Sequence, residues 1–137
     1  MKTLTSGLAV LTLYFSTQAA FPYTLTFPPG ITMAANHFNC DRLLLFAYPL
    51  HPAGKPEKLR DAHLPKIAAP VLCFNGTRDT LCDRALMEAA LKNVRAPWEM
   101  HWIEGADHSF HVLKSSGRTD AEVLQEVGDA TERWLTY

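Results

Sequence analysis

Three apolar runs recur at an even spacing, and that phase limits the folds open to this 137-residue chain. They begin near positions 43, 70 and 98. Leu43 to Tyr48 and Val71 to Phe74 are continuous, without polar alternation, which suits strands covered on both faces. Trp98 to Ile103 alternates, with Trp98, Met100 and Trp102 on one side and Glu99, His101 and Ile103 on the other, as expected of a strand near the edge of a sheet. Leu86, Ala90, Leu91 and Val94, with Ala89 beside them, keep helical spacing over 83–94, and Val123, Val127, Ala130 and Trp134 do so after a Thr119 to Glu122 capping box. Strands of this phase with helices between them are parallel strands joined by right-handed crossovers, so the predicted class is α/β with a three-stranded parallel core and flanking helices.

Pro49 ends the first run, and the proline-rich loop down to Arg60 reads as a rigid surface excursion. Asn75-Gly76 reads as a turn dipeptide closing the second run. Trp102 to Phe110 reads as a strand end entering a glycine-led loop that presents His108.

Charge divides the chain. Of the 13 basic and 14 acidic residues, Lys2 alone lies within the first 40 positions. Residues 1–40 are therefore read as an atypical, charge-poor segment and 41–137 as the domain proper. The start of the chain has the pattern of a secretory signal peptide over residues 1–20, with an apolar run from Leu8 to Phe15 too short to span a bilayer. A stretch translated out of its ancestral frame is the competing reading. Tyr23 to Phe27 is compatible with a short strand.

A formal net charge of −1 gives no footprint for a phosphate backbone, so nucleic acid is not an expected partner, and neither is a membrane. Cys40, Cys73 and Cys82 form no CxxC pattern and read as reduced thiols, with Cys73 a buried small hydrophobe. No cofactor or metal is expected. His101, Asp107, His108 and His111 are a poor ligand set, because His101 lies on a strand and the others share a short loop. His37, His51 and His63 show no ligand spacing and read as structural or surface residues.

The candidate catalytic residues are Asp79 and His108. Each falls just past the carboxyl end of a predicted strand, where ligands and catalytic groups gather in open parallel sheets. An aspartate accepting from one imidazole nitrogen fixes the tautomer and stabilises the imidazolium formed when the other nitrogen takes a proton. Asp79 as a helix cap and His108 as a hydrogen-bonded loop residue remain the plain alternatives. The order acid then histidine agrees with a hydrolase triad, but the sequence contains no G-x-S-x-G nucleophile elbow.

The segment from Tyr48 to Arg60, with Ala62-His63-Leu64-Pro65, Gly76-Thr77-Arg78-Asp79, Glu104 to Phe110 and Ser116-Gly117-Arg118-Thr119, resembles an α/β-hydrolase family akin to dienelactone hydrolases. In animals that family is similar to a testis-expressed protein and to a subunit of the non-specific lethal histone acetyltransferase complex. The resemblance spans 41–137 and implies the last three βα units of an eight-stranded hydrolase sheet. It implies Asp79 as triad acid, His108 as triad base, and a nucleophile upstream of Leu43. A small ester or acyl compound is the implied substrate. The absent elbow points to a truncated, weakly active or inactive hydrolase, or to a non-catalytic interaction module. Such a module would bind a protein partner through the sheet edge at Leu43 to Tyr48 or through the loop from Pro49 to Arg60. Tyr23 to Phe27, or part of Leu8 to Phe15, is the expected cover for that edge. The family and the odd cysteine count favour the cytoplasm; a functional leader over 1–20 would make the chain secreted.

Overall fold

The computed structural model describes residues 8–11 and 41–137. One sheet carries four parallel strands in chain order: β1 (Leu8–Leu11), β2 (Arg42–Phe46), β3 (Val71–Gly76) and β4 (Trp98–Ile103). The three-stranded parallel core expected from the apolar runs is β2 to β4. β1 extends it by pairing Leu8 with Arg42 and Leu11 with Leu45, so part of the Leu8 to Phe15 run covers the edge that β2 would otherwise expose. The Tyr23 to Phe27 strand, His37 and Cys40 lie outside the described residues, as does the leader over 1–20 apart from Leu8–Leu11.

Helix α1 (Arg84–Leu91) connects β3 to β4, and α2 (Asp120–Thr136) follows β4. The crossover from β2 to β3 holds a single 3-10 turn, Leu64–Lys66, with Pro65 inside its first turn. Its tyrosine and histidine anchor it: the Tyr48 hydroxyl donates to the Arg60 carbonyl and lies 3.2 Å from His63 Nε2. Burial holds the Tyr48 phenol protonated well above its ordinary range and pushes the pKa of His63 down.

The continuous runs are buried on both faces, as their lack of alternation requires. All six residues of β3 and the three central leucines of β2 are buried. One face of the sheet packs Leu43, Leu45, Val71 and Cys73 against Met87 and Ala90 of α1 and against Leu50, Leu64 and Ile67 of the crossover. The other packs Leu44, Leu72, Phe74 and Ile103 against Val123, Val127 and Ala130 of α2. Each fully buried leucine contributes about 1.5–3 kcal/mol, so these two layers dominate the stability of the fold.

Two elements are shorter than their patterns. The first run extends to Tyr48, but β2 stops at Phe46 because Ala47 turns into the left-handed region at φ 55°. α1 ends at Leu91, and Asn93 and Val94 continue only as three-residue turns onto Ala90 and Leu91. α1 buries Met87, which its apolar pattern did not single out; Leu86, Leu91 and Val94 are half-buried flanks. Asp83 caps α1 by accepting from Leu86 N at 2.9 Å, and Thr119 and Glu122 close the expected capping box on α2. β4 lies at the end of the sheet order, as its alternation indicates.

Candidate active site

The ends of β3 and β4 are stitched into one rim. Thr77 N donates to Ile103 O and Arg78 N to Ala106 O, while Thr77 Oγ1 accepts from Gly105 N at 2.9 Å. Gly105, at φ 74°, turns the chain out of β4, and an antiparallel bridge between Ala106 and Val112 closes the loop that carries His108. Asp107 braces that loop from within: its Oδ1 accepts from Ser109 N at 2.8 Å and from His111 N at 3.0 Å. Phe110 adopts φ 61° and packs its ring on the α2 side of the core.

Asn75-Gly76 differs from the turn dipeptide expected of it. Both are the last residues of β3, and their small or amide side chains serve packing and hydrogen bonding. A Cβ on Gly76 would lie 2.1 Å from Ala106 O and 2.8 Å from Asp107 O, so glycine is what lets the His108 loop lie against the strand. The Asn75 side chain is fully buried and bridges two elements. Its Oδ1 accepts from Tyr48 N at 3.3 Å and its Nδ2 donates to Tyr48 O at 3.2 Å, replacing the ladder that β2 abandons at Ala47. The same Nδ2 reaches Asp79 Oδ2 at 3.4 Å.

Asp79 and His108, separated by 29 positions, meet at this rim. Asp79 Oδ2 lies 2.8 Å from His108 Nδ1, and Asp79 Oδ1 accepts from Leu81 N at 2.8 Å. The Asp79 carboxylate is 0% exposed and the imidazole 23%. A short contact between a buried carboxylate and Nδ1 places the proton of the neutral ring on Nδ1, which leaves Nε2 as the nitrogen that can take a proton. Asp79 does not cap α1, since Asp83 holds that position.

The remaining histidines have other partners. His51 is buried, accepts from Asp83 N through Nε2 at 3.0 Å and lies 3.0 Å from Pro52 O through Nδ1. His101 pairs with Glu126 at 2.8 Å. His111 pairs with Asp120 at 2.9 Å, and Asp120 also accepts from Val112 N. Among the described residues no group of three or more His, Cys, Asp or Glu is placed to hold a metal ion. A surface groove of about 440 Å³ that includes Arg42, Pro70, Glu99 and Trp134 lies at the amino ends of the strands, away from the Asp79–His108 pair.

The His111–Asp120 pair ties the His108 loop to the start of α2. The hydrogen bond that His111 donates to Asp120, reinforced by the charge of that carboxylate, raises the pKa of His111 above 6.5; the same bond, with that from Val112 N, lowers the pKa of Asp120 below 3.8. A raised histidine stabilises fully below its unfolded pKa and loses that contribution as pH rises through the folded one. A lowered aspartate stabilises above its unfolded pKa and loses its contribution as pH falls through the folded one. The tether is thus strongest between about pH 4 and 6.5 and loosens on either side. An NMR titration should give a His111 midpoint above 6.5 that falls back on Asp120→Asn.

Cys73 and Cys82 are both free and buried. Burial, then the neighbouring Asp79 carboxylate, pushes the Cys82 thiol up to about 12, and burial raises Cys73 well above its ordinary range. Thiols so held are poor nucleophiles at neutral pH. Alkylation by iodoacetamide at pH 8 should spare both in the native chain and reach both in urea; rapid native labelling at Cys82 would contradict this.

Comparison with known proteins bears on the fold just described. The profile of a family described as "Alpha/beta hydrolase domain" matches residues 31–136. The chain belongs to the α/β-hydrolase family. A solved esterase 2 from Thermogutta terrifontis, phosphoramylated by tabun, is similar at 23% identity and a TM-score of 0.51, over 72% of this chain and 41% of that one. An α/β serine hydrolase homologue from Coxiella burnetii is similar at 22% identity and a TM-score of 0.46, over 59% of this chain and 36% of that one. The chain therefore spans about two fifths of the length of these α/β hydrolases. At 23% identity the likeness to the esterase is one of fold. Among the described residues no helix is long and apolar enough to cross a membrane.

Proposed function

We propose that these 137 residues carry the acid-and-histidine half of a dienelactone-hydrolase-like ester or acyl hydrolase. The observation that carries the reading is the 2.8 Å contact between the fully buried Asp79 carboxylate and His108 Nδ1 at the carboxyl rim of the sheet. In this reading Asp79 holds the ring and stabilises its imidazolium. His108 takes the proton of a serine or cysteine through Nε2 and later returns it to the leaving group. The nucleophile bonds to the acyl carbon as the ester C–O bond breaks and the alcohol leaves with that proton. Water, giving its proton to His108, then attacks the acyl carbon, the bond to the nucleophile breaks, the acid is released and the nucleophile regains the proton.

Nucleophile and oxyanion donors lie outside these residues. No G-x-S-x-G segment occurs in the sequence, and both described thiols are buried and protonated. Without a nucleophile a serine hydrolase loses roughly 10⁶-fold in kcat, about 8 kcal/mol of transition-state stabilisation, so the chain alone is catalytically silent. No cofactor is required, and the cytoplasm is the proposed compartment. The missing elbow equally favours a second reading, a non-catalytic module that retains hydrolase architecture for binding a protein.

Two measurements test the first reading. A hydrogen-bonded imidazole proton should appear far downfield in the proton NMR spectrum and vanish in Asp79→Asn; its absence from the native chain would remove the pair. A fluorophosphonate probe should leave the purified chain unlabelled. Covalent labelling of any serine would place a nucleophile within these residues and end both the half-apparatus and the non-catalytic readings.

A further inference from the structure

We infer that β4 is a self-complementary edge through which two copies of this chain pair, antiparallel, into one continuous sheet. β4 ends the strand order, and no described residue pairs with its outer side. Which backbone groups face outward follows from the ladder to β3. Pro97 O accepts from Val71 N at 2.8 Å and Ile103 O from Thr77 N at 3.0 Å, so the odd positions 97 to 103 face β3. In a pleated strand the alternate residues face the other way, so Trp98, Met100 and Trp102 aim their N–H and C=O groups at the open edge.

A second copy must therefore set outward residues opposite outward residues, and only a few registers do so. Centred on Met100, the pairing places Trp98 opposite Trp102 of the other copy and Met100 opposite its own counterpart. All N–H and C=O groups of these three residues are then satisfied in closely bonded pairs. Glu99 and His101 fall opposite each other, twice, at the non-bonded positions where facing side chains come nearest. Slipping the centre to Glu99 sets carboxylate against carboxylate, and slipping it to His101 sets imidazole against imidazole. The stretch Trp98-Glu99-Met100-His101-Trp102, symmetric about Met100 except that Glu99 answers to His101, thus favours one register and penalises its neighbours.

The side chains suit this pairing. The two-fold axis would stand perpendicular to the sheet, so like faces of the two copies adjoin. Trp98, Met100 and Trp102 are half-buried on the α1 face, with the Trp98 indole donating to Met100 Sδ at 3.2 Å and Arg84 lying 5.4 Å over the Trp102 ring. Cross-strand aromatic pairs would complete what each copy leaves half covered. The opposite face offers the exposed Glu99 and the half-buried His101, whose Nε2 is held by Glu126 at 2.8 Å, so that Nδ1 is the ring nitrogen to meet Glu99 of the other copy. Proline, a bulge or a lysine that would blunt such an edge occurs nowhere from Trp98 to Ile103.

Sedimentation velocity of the full chain over a range of concentrations tests the inference. The expected result is a reversible monomer–dimer equilibrium. Met100→Pro removes an N–H that faces away from β3, so it spares the internal ladder while deleting the two central bonds between copies. The dimer should weaken at least tenfold, with the circular dichroism of the monomer retained. Glu99→Lys alters only an exposed side chain and serves where the proline variant fails to fold; it should weaken the dimer several-fold by facing lysine with His101. A chain that stays monomeric at every concentration overturns the inference. So does a dimer whose association is unchanged by Glu99→Lys.

Discussion

Gly76→Ala is expected to destabilise the chain by about 3 kcal/mol or more, the upper end for an added methyl group in a packed interior. The new Cβ would meet Ala106 O at 2.1 Å, Ala106 C at 2.5 Å and Asp107 O at 2.8 Å. All three are backbone atoms, so no rotamer change relieves the clash. Either β3 or the His108 loop must move, and the loop is held by fewer bonds. Urea denaturation should show the loss of stability, and the downfield imidazole proton should shift or vanish although neither Asp79 nor His108 has been altered. A change below about 1 kcal/mol would mean that the loop yields freely, and the account of how the rim holds His108 would fail.

Asp79→Ala is expected to cost about 2–4 kcal/mol, chiefly through the donors it leaves behind. The carboxylate is completely buried and accepts from Leu81 N at 2.8 Å as well as facing His108 Nδ1 at 2.8 Å. Asn75 Nδ2 keeps the Tyr48 carbonyl as an alternative acceptor, so its loss is partial. Leu81 N loses the acceptor that fixes the turn leading into α1. Asp79→Asn retains the shape and an acceptor for Leu81 N and should cost clearly less in the same urea titration. Equal costs for the two variants would show that the carboxylate's hydrogen bonds do not stabilise this turn.

Much of this was legible in the residues. Uninterrupted apolar runs from Leu43 and Val71 announce strands covered on both faces, and the alternation from Trp98 announces an edge. Thr119 and Glu122 mark the start of α2 because a capping box is a local device, satisfied by residues three apart. Asp79 and His108 could be brought together on paper because parallel strands present their carboxyl ends to one rim. What failed was long-range. Asn75-Gly76 has the composition of a turn, yet the glycine answers to the loop that approaches it from 30 positions later, and the asparagine answers to Tyr48 just past the end of β2. Neither partner is visible in the local pattern. Ala47 at positive φ is likewise imposed by the exit from β2, since alanine carries no signal for it. Met87 escaped notice because the spacing of Leu86, Ala90 and Leu91 already filled a plausible face, while the sheet selects the Met87 to Ala90 line.

The amide of Asn75 has a kinetic consequence. It is bonded at once to both polar groups of Tyr48 and to Asp79, so the exit of β2 and the acid of the pair share one fastening. Opening of β2, whether by fraying at its β1 side or by release of the Tyr48 to Arg60 loop, withdraws two of the four contacts that orient this amide and leaves those with Cys73 Sγ and Asp79. Hydrogen exchange should then find the amides of Tyr48 and Leu81 opening together, ahead of the Val71 to Phe74 ladder. The chain can in this way lose the geometry of its acid while most of its sheet still stands.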